Sequence, residues 1–473
     1  PFVQMTTPTG LIRIVTRLSD LVVASVVTAW TVLWAATRRS SDRSGSVELV
    51  VLDTSYSWKQ IEERELHFAI TARECEGLFD SVTSVHPLVG ADEEIDVDSA
   101  VSEHHLGDQH RFVEVSVSGG RPERGVTLSS IAQSQRTLLG ILREAAAGGG
   151  VRIVRVGDPY YLGLLGWWLA RLANCPLVVR VNANHDLLYE IGGHLAYPRL
   201  IRSRRLETML AGFVLSRANL VLAPSEDNCA FAVNNGARND LVHLSPYGSL
   251  LHPVHFGDPA DRPSIRPELG IGGRPLIASV TRLEPAKRVE DLVKVLKVVV
   301  DEIPDAVCVI AGDGSLRSSL QGAARAAGIA DNLLLVGNRP QRWLASLLAD
   351  ADVVLFPLAG RALVEATLSG SPLVVYDLEW HHEALEDQVS GFLVEPGDTI
   401  HMAQVAIDLI RHPEKAVPIA AAARQAATRR FDRSELIARE RQLMKGLLKS
   451  GSMSPRVGNG DMGSGEQQET SHL

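Results

Sequence analysis

Cysteine is scarce in this chain of 473 residues, which has only four, Cys75, Cys175, Cys229 and Cys308. They form no CxxC pair, and no histidine lies near them at the spacing of metal ligands. This pattern excludes a disulfide-rich secreted scaffold and a zinc module of the usual spacing. We therefore expect reduced thiols in or near a core, in a reducing compartment, and no structural metal.

An excess of basic charge is also lacking, because 47 Lys and Arg stand against 56 Asp and Glu, for a formal net charge of -9. A protein that lies along nucleic acid needs a basic face to neutralise phosphates, so no nucleic-acid partner is expected. The run from Arg199 to Arg205 is the best candidate for a local basic patch. A solvated helix face is the simpler interpretation of that run.

The amino-terminal apolar segment, from Leu21 to Thr37, falls just short of the roughly 20 residues that a spanning helix needs. Arginine pairs flank it, which suits anchoring of a short or tilted helix at lipid headgroups. A signal peptide fits less well, because Arg38 and Arg39 follow where a small-residue cleavage site is needed. A buried helix, or an extension upstream of a natural start at Met5, is the third interpretation, and all three stay open.

Hydrophobic residues make up 45% of the chain and charged residues 22%, which is typical of a globular protein. Its length exceeds what one core usually organises, so two domains are expected. From Val47 onward, β-branched runs alternate with helical segments, a pattern that predicts an α/β fold with a parallel, doubly wound sheet. The acidic stretch from Ala91 to Gln109 is interpreted as a surface loop.

The same alternation repeats after a stretch rich in Pro, Gly and Asp, which we interpret as a linker. The sequence thus predicts two Rossmann-like domains with parallel sheets that face a central cleft. The carboxyl-terminal tail lacks the apolar residues needed to fold, and we expect it to be disordered. The predicted organisation is an amino-terminal segment 1–45, a first Rossmann-like domain 46–256, a linker 257–274, a second Rossmann-like domain 275–431, a helix 432–449 and a tail 450–473.

Six phrases of the second domain occur in the order and at the spacing of family-four glycosyltransferases of the GT-B type, which this half of the chain resembles. They are SVTRLEPAKRVEDL, VIAGDGSLRSSL, VGNRPQ, ADVVLFP, GRALVEATLSGSPLVVYD and SGFLVEPGD. The first domain resembles the family more weakly, through VRVNANHDLLYE, RLETMLAGFVLSRANLVLAPSEDN and LSPYGSLLHP. The resemblance implies a nucleotide diphosphate sugar as donor substrate, no cofactor and no metal.

Two cations are the first candidates for the donor site. Arg282 is predicted at a strand end, and Lys287 lies on the turn that opens the next helix. A diphosphate leaving group needs positive charge where negative charge develops, and the resemblance implies that these two residues provide it in place of a metal. A pair of surface charges is the alternative. Gly312, in a glycine turn after a strand, is a candidate wall of the donor pocket or simply a tight turn.

The phrase GRALVEA is expected to open a helix, where unpaired amides favour anions. The backbones of Ala362 and Leu363 are therefore candidate phosphate donors, and the resemblance implies that Glu365 binds the ribose hydroxyls. A first-turn residue that favours the helix dipole is the alternative for Glu365. A second glutamate, usual in the family eight residues earlier, is replaced here by Pro357. Arg361 compensates, by hypothesis, through contact with the phosphates.

The acceptor side of the predicted cleft carries NANHD after the strand PLVVRV. The resemblance implies that His185 lies near the acceptor and the transferred sugar, and we predict a catalytic role because a pKa near neutrality suits proton transfer. Asn182, Asn184 and Asp186 are candidates for binding acceptor hydroxyls. A turn that caps the helix from Leu187 is an equal alternative for these three. Glu383 is a weak candidate for donor contact.

The predicted function is transfer of a sugar from a nucleotide diphosphate sugar to an acceptor hydroxyl, as in a hexosyltransferase. By resemblance the transfer retains anomeric configuration and needs no metal. A saccharide or lipid-linked acceptor, a cytoplasmic location with attachment to the inner face of the membrane, and a role in cell-surface polysaccharide or glycolipid synthesis complete the prediction. A nucleotide-sugar epimerase of the same fold and a non-catalytic partner subunit are the alternatives.

Overall fold

The structure, a computed structural model, describes residues 45–89, 101–116, 128–193, 195–197, 201 and 203–450. The predictions for the apolar segment 21–37 and for the tail 451–473 lie outside these residues. Within the described ranges no helix combines the length and the apolar character needed to cross a bilayer.

The first domain is built on an eight-stranded sheet with the order β3-β4-β2-β1-β5-β6-β7-β8. Its strands are almost all parallel and buried on both faces, which explains why they appear as continuous β-branched runs in the sequence. The direction in which strands are added to the sheet reverses between β1 and β5, so a crevice opens at the carboxyl ends of these two strands. The strands are β1 Glu48–Leu52, β2 Ser81–Val89, β3 Val101–Leu106, β4 His110–Ser116, β5 Val151–Val156, β6 Leu177–Arg180, β7 Leu220–Ala223 and β8 Val242–Leu244.

The edge strand β3 corrects the loop prediction for the end of the acidic stretch. Val101–Leu106 pairs antiparallel with β4, with Val101 opposite Val115. Its residues alternate between exposed and half-buried, as an edge strand allows. Glu103 forms an ion pair with Arg111 on β4, with an Nε–Oε1 distance of 2.5 Å. Cross-strand pairing of opposite charges therefore stabilises a segment whose acidic composition suggested a loop.

Helices cover both faces of this first sheet. They are α1 Trp58–Glu63, α2 His67–Thr71, α3 Leu128–Ala147, α4 Tyr161–Ala173, α5 His185–Gly192, α6 Arg204–Leu215 and α7 Glu226–Asn234. Within the candidate basic patch, the described residue Arg204 forms ion pairs with Asp186 and Glu207. Its charge is therefore used inside the domain.

The second domain has a six-stranded parallel sheet with the order β11-β10-β9-β12-β13-β14. This is the strand order of a doubly wound nucleotide-binding fold, and its crevice lies at the carboxyl ends of β9 and β12. The strands are β9 Leu276–Val280, β10 Val307–Ala311, β11 Leu333–Gly337, β12 Val353–Phe356, β13 Leu373–Tyr376 and β14 Phe392–Val394. The helices are α8 Arg266–Leu269, α9 Glu290–Glu302, α10 Arg317–Ala326, α11 Gln341–Asp350, α12 Arg361–Thr367, α13 His381–Ala384, α14 Thr399–Arg411 and α15 Pro413–Arg430.

The stretch 257–274, expected as a linker, is packed against the second domain. Arg262 donates to the Ala345 carbonyl at 3.1 Å, and Ser264 donates to Asp350 at 2.7 Å. Leu251 is fully buried in the second core, so the chain already leaves the first domain just after β8. Within this stretch Pro259 begins a short 3-10 turn, Pro259–Asp261, and Pro267 lies in helix α8.

The final helix, α16 Arg433–Ser450, returns to the first domain. Met444 is buried there against Leu49 and Val51, and Glu440 forms a buried ion pair with Arg155 at 2.6 Å. The two chain crossings between the domains lie in contact. A Cβ atom added to Gly248 in the first crossing would lie 2.2 Å from the carbonyl oxygen of Phe431 in the second, so glycine is needed at that point.

The four cysteines are free, and three of them, Cys75, Cys175 and Cys308, are buried. Burial raises the pKa of the Cys75 and Cys308 thiols to about 12. These thiols are therefore protonated at neutral pH and pack as apolar groups.

Candidate active site

A cleft of about 690 Å³ lies between the two sheets, at the carboxyl ends of their strands. Parallel strands place the residues that follow them at one edge, and the two sheets turn these edges toward each other. Among the predicted site residues, those that line the cleft are Asn182, His185, Arg282, Lys287, Gly312, Arg361, Ala362 and Glu365.

The two predicted cations and the predicted carboxylate are brought together around this one cleft. Arg282 follows β9 and is exposed, while Lys287 ends a 3-10 turn and is half-buried. Burial lowers the pKa of the Lys287 ammonium, and the neighbouring carboxylate of Glu379 opposes that effect. Glu365 is only 2% exposed and faces the cleft from helix α12. This arrangement can bind an anion next to a group with hydroxyls.

Arg361 and Glu365 lie one turn apart on α12 and form an ion pair, with an Nε–Oε1 distance of 3.0 Å. Burial alone would raise the pKa of the Glu365 carboxyl, but the Arg361 guanidinium holds it below its usual value. The Arg361 guanidinium also lies 5.6 Å from the ring centroid of Tyr56, across the cleft. Arg64 approaches the same ring at 5.7 Å. The carboxylate is therefore kept ionised and oriented by its neighbours.

The backbone at the start of α12 distinguishes the two predicted phosphate donors. The Leu363 amide donates to the Gly360 carbonyl at 3.0 Å, and the Leu363 side chain is fully buried in the core. Ala362, in contrast, lines the cleft. Of the two, Ala362 is thus the better-placed candidate.

Gly312 is required by close backbone contact. Its φ is +139°, and an added Cβ would lie 1.9 Å from the Thr281 carbonyl oxygen. Its amide donates to the Gly337 carbonyl at 2.8 Å. The absence of a side chain lets β9 and β10 end side by side at the cleft wall.

His185 begins helix α5 and lines the acceptor side of the cleft. Its ring packs edge-on against Tyr160, with 5.2 Å between the centroids. Burial, together with the Arg204 guanidinium, lowers the pKa of His185 to about 4. The imidazole is therefore neutral at pH 7, which differs from the expectation of a pKa near neutrality.

The three polar candidates next to His185 have different positions. Asn182 lines the cleft, and its amide donates to the Gly157 carbonyl at 3.1 Å. Asn184 does not line the cleft. It caps α5 by accepting from the Leu187 amide at 3.1 Å. Asp186 lies outside the cleft lining as well, and it pairs with Arg204 and accepts from Asn235 at 2.7 Å. Asn184 thus has the position of the capping alternative, whereas Asp186 lies within the helix and is occupied by its ion pair and hydrogen bond.

Glu383 connects the two domains and is not part of the cleft lining. Its two carboxylate oxygens accept from the backbone amides of Glu226 and Asp227, each at 2.9 Å. Arg430 contacts the same carboxylate at 3.3 Å. A carboxylate of the second domain thus caps the amino terminus of α7 in the first.

Several cleft residues were missed by the sequence reasoning. Asp53 follows β1 and pairs with Arg73 at 2.5 Å, while Asp158 follows β5 and accepts from the Tyr197 hydroxyl. Burial raises the pKa of Asp158 to about 6. The position of Asp53 and Asp158 just after buried strands was a usable signal. Other missed residues that line the cleft are His86, Arg180, Asn338, Gln341 and Glu379.

In the part of the chain that the structure describes, no group of three or more His, Cys, Asp or Glu side chains is arranged to hold a metal ion.

Comparison with known proteins identifies the second domain. Residues 261–426 match the family described as glycosyl transferases group 1. The alpha-D-kanosaminyltransferase of Streptomyces kanamyceticus is 28% identical over 159 residues, which are 33% of this chain and 41% of that protein. The chain therefore spans less than half the length of this relative.

A second relative and a solved structure extend the likeness toward the first domain. The GDP-mannose-dependent alpha-(1-6)-phosphatidylinositol monomannoside mannosyltransferase of Mycolicibacterium smegmatis is 26% identical over 287 residues, which are 58% of this chain and 71% of that protein. The crystal structure of Anabaena HepE in complex with UDP and glucose has a TM-score of 0.64 at 18% identity. The matched region covers 85% of this chain and 100% of the HepE chain. The two-domain α/β fold is that of the GT-B type, as predicted.

Proposed function

Because residues 261–426 belong to glycosyl transferases group 1, we propose that the chain transfers a sugar from a nucleotide diphosphate sugar to an acceptor hydroxyl. The observation that carries the proposal is the grouping of Arg282, Lys287 and Glu365 around one interdomain cleft. HepE, which has the same fold, was crystallised with UDP and glucose, and the two relatives are named as sugar transferases.

Arg282 and Lys287 stabilise the leaving group. As the bond to the sugar breaks, negative charge builds up on the diphosphate. Cations at the cleft stabilise this charge more strongly in the transition state than in the ground state. The lowered pKa of Lys287 reflects partial removal from water, which strengthens its interaction with an entering anion. With two such cations the departure of the diphosphate needs no metal, so we propose a metal-independent reaction.

Glu365 binds the ribose. Its Oε1 is engaged by Arg361, and within the described residues no hydrogen bond reaches Oε2. An ionised carboxylate oxygen at the cleft is a strong acceptor for a ribose hydroxyl. Arg361 keeps this carboxylate charged. Its Nη1 donates to the Leu250 carbonyl at 3.5 Å, which leaves Nη2 for the phosphates.

His185 contacts the transferred sugar or the acceptor as a neutral imidazole. With a pKa of about 4 it is a weak base, so we assign it hydrogen bonding and positioning. We propose that the transfer retains anomeric configuration, with the acceptor hydroxyl arriving on the side from which the diphosphate departs. The polar residues Asn182, Asp158 and Tyr197 line the wall from which that acceptor approaches.

The acceptor is proposed to be a saccharide or a lipid-linked saccharide. One relative is named as acting on phosphatidylinositol monomannoside, which is a membrane lipid. A cytoplasmic location with attachment to the inner membrane face through residues 21–37 fits such an acceptor. Sedimentation of the full chain and of a chain lacking 21–37 with anionic vesicles tests this, and equal recovery of both in the supernatant overturns it.

The activity is tested with a panel of UDP- and GDP-sugars and a membrane-lipid extract as acceptor, scored by release of UDP or GDP. We expect release that depends on the acceptor for at least one donor. Lys287→Gln and Arg282→Gln should each lower kcat by about 100-fold to 1,000-fold. Lys415→Gln, an exposed lysine of α15 in the same domain, is the matched control and should leave kcat unchanged.

Two outcomes would replace the proposal. A labelled nucleotide sugar that is converted to its epimer without acceptor indicates an epimerase. Absence of turnover, together with no UDP or GDP binding by calorimetry, indicates a non-catalytic partner subunit.

A further inference from the structure

We propose that Glu379 is the residue that binds hydroxyl groups of the transferred sugar and so selects the donor. The ligand is a sugar ring with free hydroxyls, as opposed to a deoxy sugar. This inference rests on the proposed function and deepens it. It also accounts for Pro357, which stands where the resemblance implies a carboxylate.

Position is the first argument. Glu379 follows β13, at the carboxyl edge of the second sheet, and its side chain lines the cleft together with Lys287. Lys287 is proposed to hold the diphosphate, and the transferred sugar is covalently bound to that diphosphate. A carboxylate beside Lys287 therefore lies next to the place of the sugar.

The backbone of Glu379 is the second argument. Its φ is +50°, and among the cleft-lining residues that the structure describes it alone combines a side chain with the left-handed backbone conformation. This conformation is unfavourable for a residue with a Cβ, and it persists where the surroundings impose it, often at ligand-binding positions.

The two residues that follow Glu379 are buried and well packed. Trp380 is 2% exposed and packs on Tyr247, with 5.6 Å between the ring centroids. His381 is fully buried, and its Nδ1 lies 2.7 Å from the Tyr376 carbonyl oxygen, to which it donates. Both residues follow Glu379 in the chain, and their packing holds the backbone of this loop in place.

The same histidine joins the Glu379 loop to the loop that lacks a carboxylate. Its Nε2 accepts from the Ala359 amide at 3.1 Å. Ala359 lies two residues after Pro357, and this segment is buried and apolar, with Leu358 3% and Ala359 2% exposed. The loop after β12 therefore offers no acid to the sugar, while the adjoining loop after β13 does.

The carboxylate of Glu379 has unused capacity to accept hydrogen bonds. In the described ranges its side chain forms neither a hydrogen bond nor an ion pair, although it is half-buried. Burial raises the pKa of this carboxyl, and the Lys287 ammonium opposes the effect without direct contact. A partly desolvated carboxylate without partners is costly, and sugar hydroxyls would supply the missing donors.

Neutralisation of Lys287 is the competing role for Glu379, and the experiment separates the two. Glu379→Gln is compared with the wild type on a donor that the wild type uses and on deoxy analogues of that donor, each lacking one sugar hydroxyl. We expect Glu379→Gln to lower kcat/KM for the full donor by about 10-fold to 100-fold. For the analogue without the bound hydroxyl the variant and the wild type should be nearly equal, and affinity for free UDP or GDP should not change.

Glu379→Gly is the control for loss of activity through misfolding. Glycine adopts the left-handed conformation readily, so this variant should have a higher Tm than the wild type. Its activity should nevertheless fall in the same donor-selective way as that of Glu379→Gln. A uniform loss across all analogues and free nucleotide supports the Lys287 role and overturns the proposal, as does unchanged activity of Glu379→Gln. Failure of the proposed function is seen separately, in the wild type: if it neither turns over nor binds any sugar nucleotide, both proposals fall.

Discussion

The guanidinium Nε of Arg361 lies 3.0 Å from Oε1 of Glu365, one turn further along α12. The pair is almost completely buried, with 13% and 3% of the two side chains exposed. The proposed phosphate-binding cation and the proposed ribose-binding carboxylate are thus held by the same short helix, and each favours the charged form of the other.

Substitution of Glu365 and substitution of Arg361 should have different effects on the affinity for nucleotide and for pyrophosphate. Glu365→Gln removes the charged acceptor, so UDP or GDP affinity should fall about 10-fold to 100-fold. Pyrophosphate has no ribose, and its affinity should stay the same or rise, since a negative charge near the phosphates is removed. Titration calorimetry measures the affinity for both ligands. The control is Glu302→Gln, which removes the charge of an exposed glutamate of α9 that forms an ion pair with Arg411. Equal losses for the two ligands contradict the ribose role.

Arg361→Ala tests the other half of the pair. Loss of the guanidinium should weaken pyrophosphate and nucleotide alike. An unchanged donor affinity in this variant refutes the phosphate contact proposed for Arg361.

A methyl group at Gly312 should be far more damaging than one at Gly322. Gly312→Ala places a carbon 1.9 Å from the Thr281 carbonyl oxygen, at a φ of +139°. We expect a loss of about 3 kcal/mol or more in the free energy of unfolding. Gly322→Ala lies in helix α10 with no atom within 4 Å, and should stabilise by about 0.5–1 kcal/mol. Thermal unfolding gives the Tm of each variant. Equal Tm values would contradict the close approach of Gly312 to the Thr281 carbonyl.

The Glu383 carboxylate should hold the domains closed. Glu383→Ala removes two charge-assisted hydrogen bonds to the amides of Glu226 and Asp227. We expect a larger radius of gyration in small-angle scattering and weaker thermal stabilisation by saturating UDP or GDP. Glu386→Ala, an exposed glutamate of the same segment, is the control. Superimposable scattering curves for wild type and Glu383→Ala would rule out this closing role.

The lowered pKa of His185 makes a prediction for stability against pH. An unfolded histidine titrates near pH 6.5, while His185 in the folded chain titrates at about pH 4. Between these values the unfolded state binds more protons, so this contribution is fully present above pH 6.5 and is lost as the pH falls toward 4.

His185→Gln cannot be protonated and should lack this loss. The Tm difference between wild type and variant should shift in favour of the variant by the equivalent of about 2 kcal/mol when the pH is lowered from 7.5 to 4.5. His401→Gln, an exposed histidine of α14, is the control. A constant difference across this range would mean that His185 titrates normally.

The sequence was sufficient for the two sheets, because their strands are buried on both faces and appear as uninterrupted β-branched runs. It was insufficient for β3, whose acidic residues are stabilised by pairing with β4 and not by burial. Composition also did not indicate that 257–274 packs on the second domain, where Arg262 and Ser264 contact helix α11. Composition indicates local conformational preference, whereas the structure of these two segments is determined by the residues that pair or pack with them.

The location of candidate site residues at the cleft could be predicted where those residues lie in local sequence motifs. Arg282, Lys287 and Glu365 sit in phrases whose order fixed their place at the cleft. Arg73 and Glu379 were not readable, because they reach the cleft from a helical turn and a strained loop whose positions depend on tertiary packing. Asn184 and Asp186 show the reverse case, in which a promising motif is used for capping and ion pairing.

Contact between Gly248 and Phe431 has a mechanical consequence. The polypeptide passes between the halves twice, and both passages run side by side at this point. Two adjacent connections favour rotation of the halves about this point over sliding or twisting. We therefore expect any relative movement of the two domains to be a hinge rotation, in which the two walls of the cleft keep their alignment.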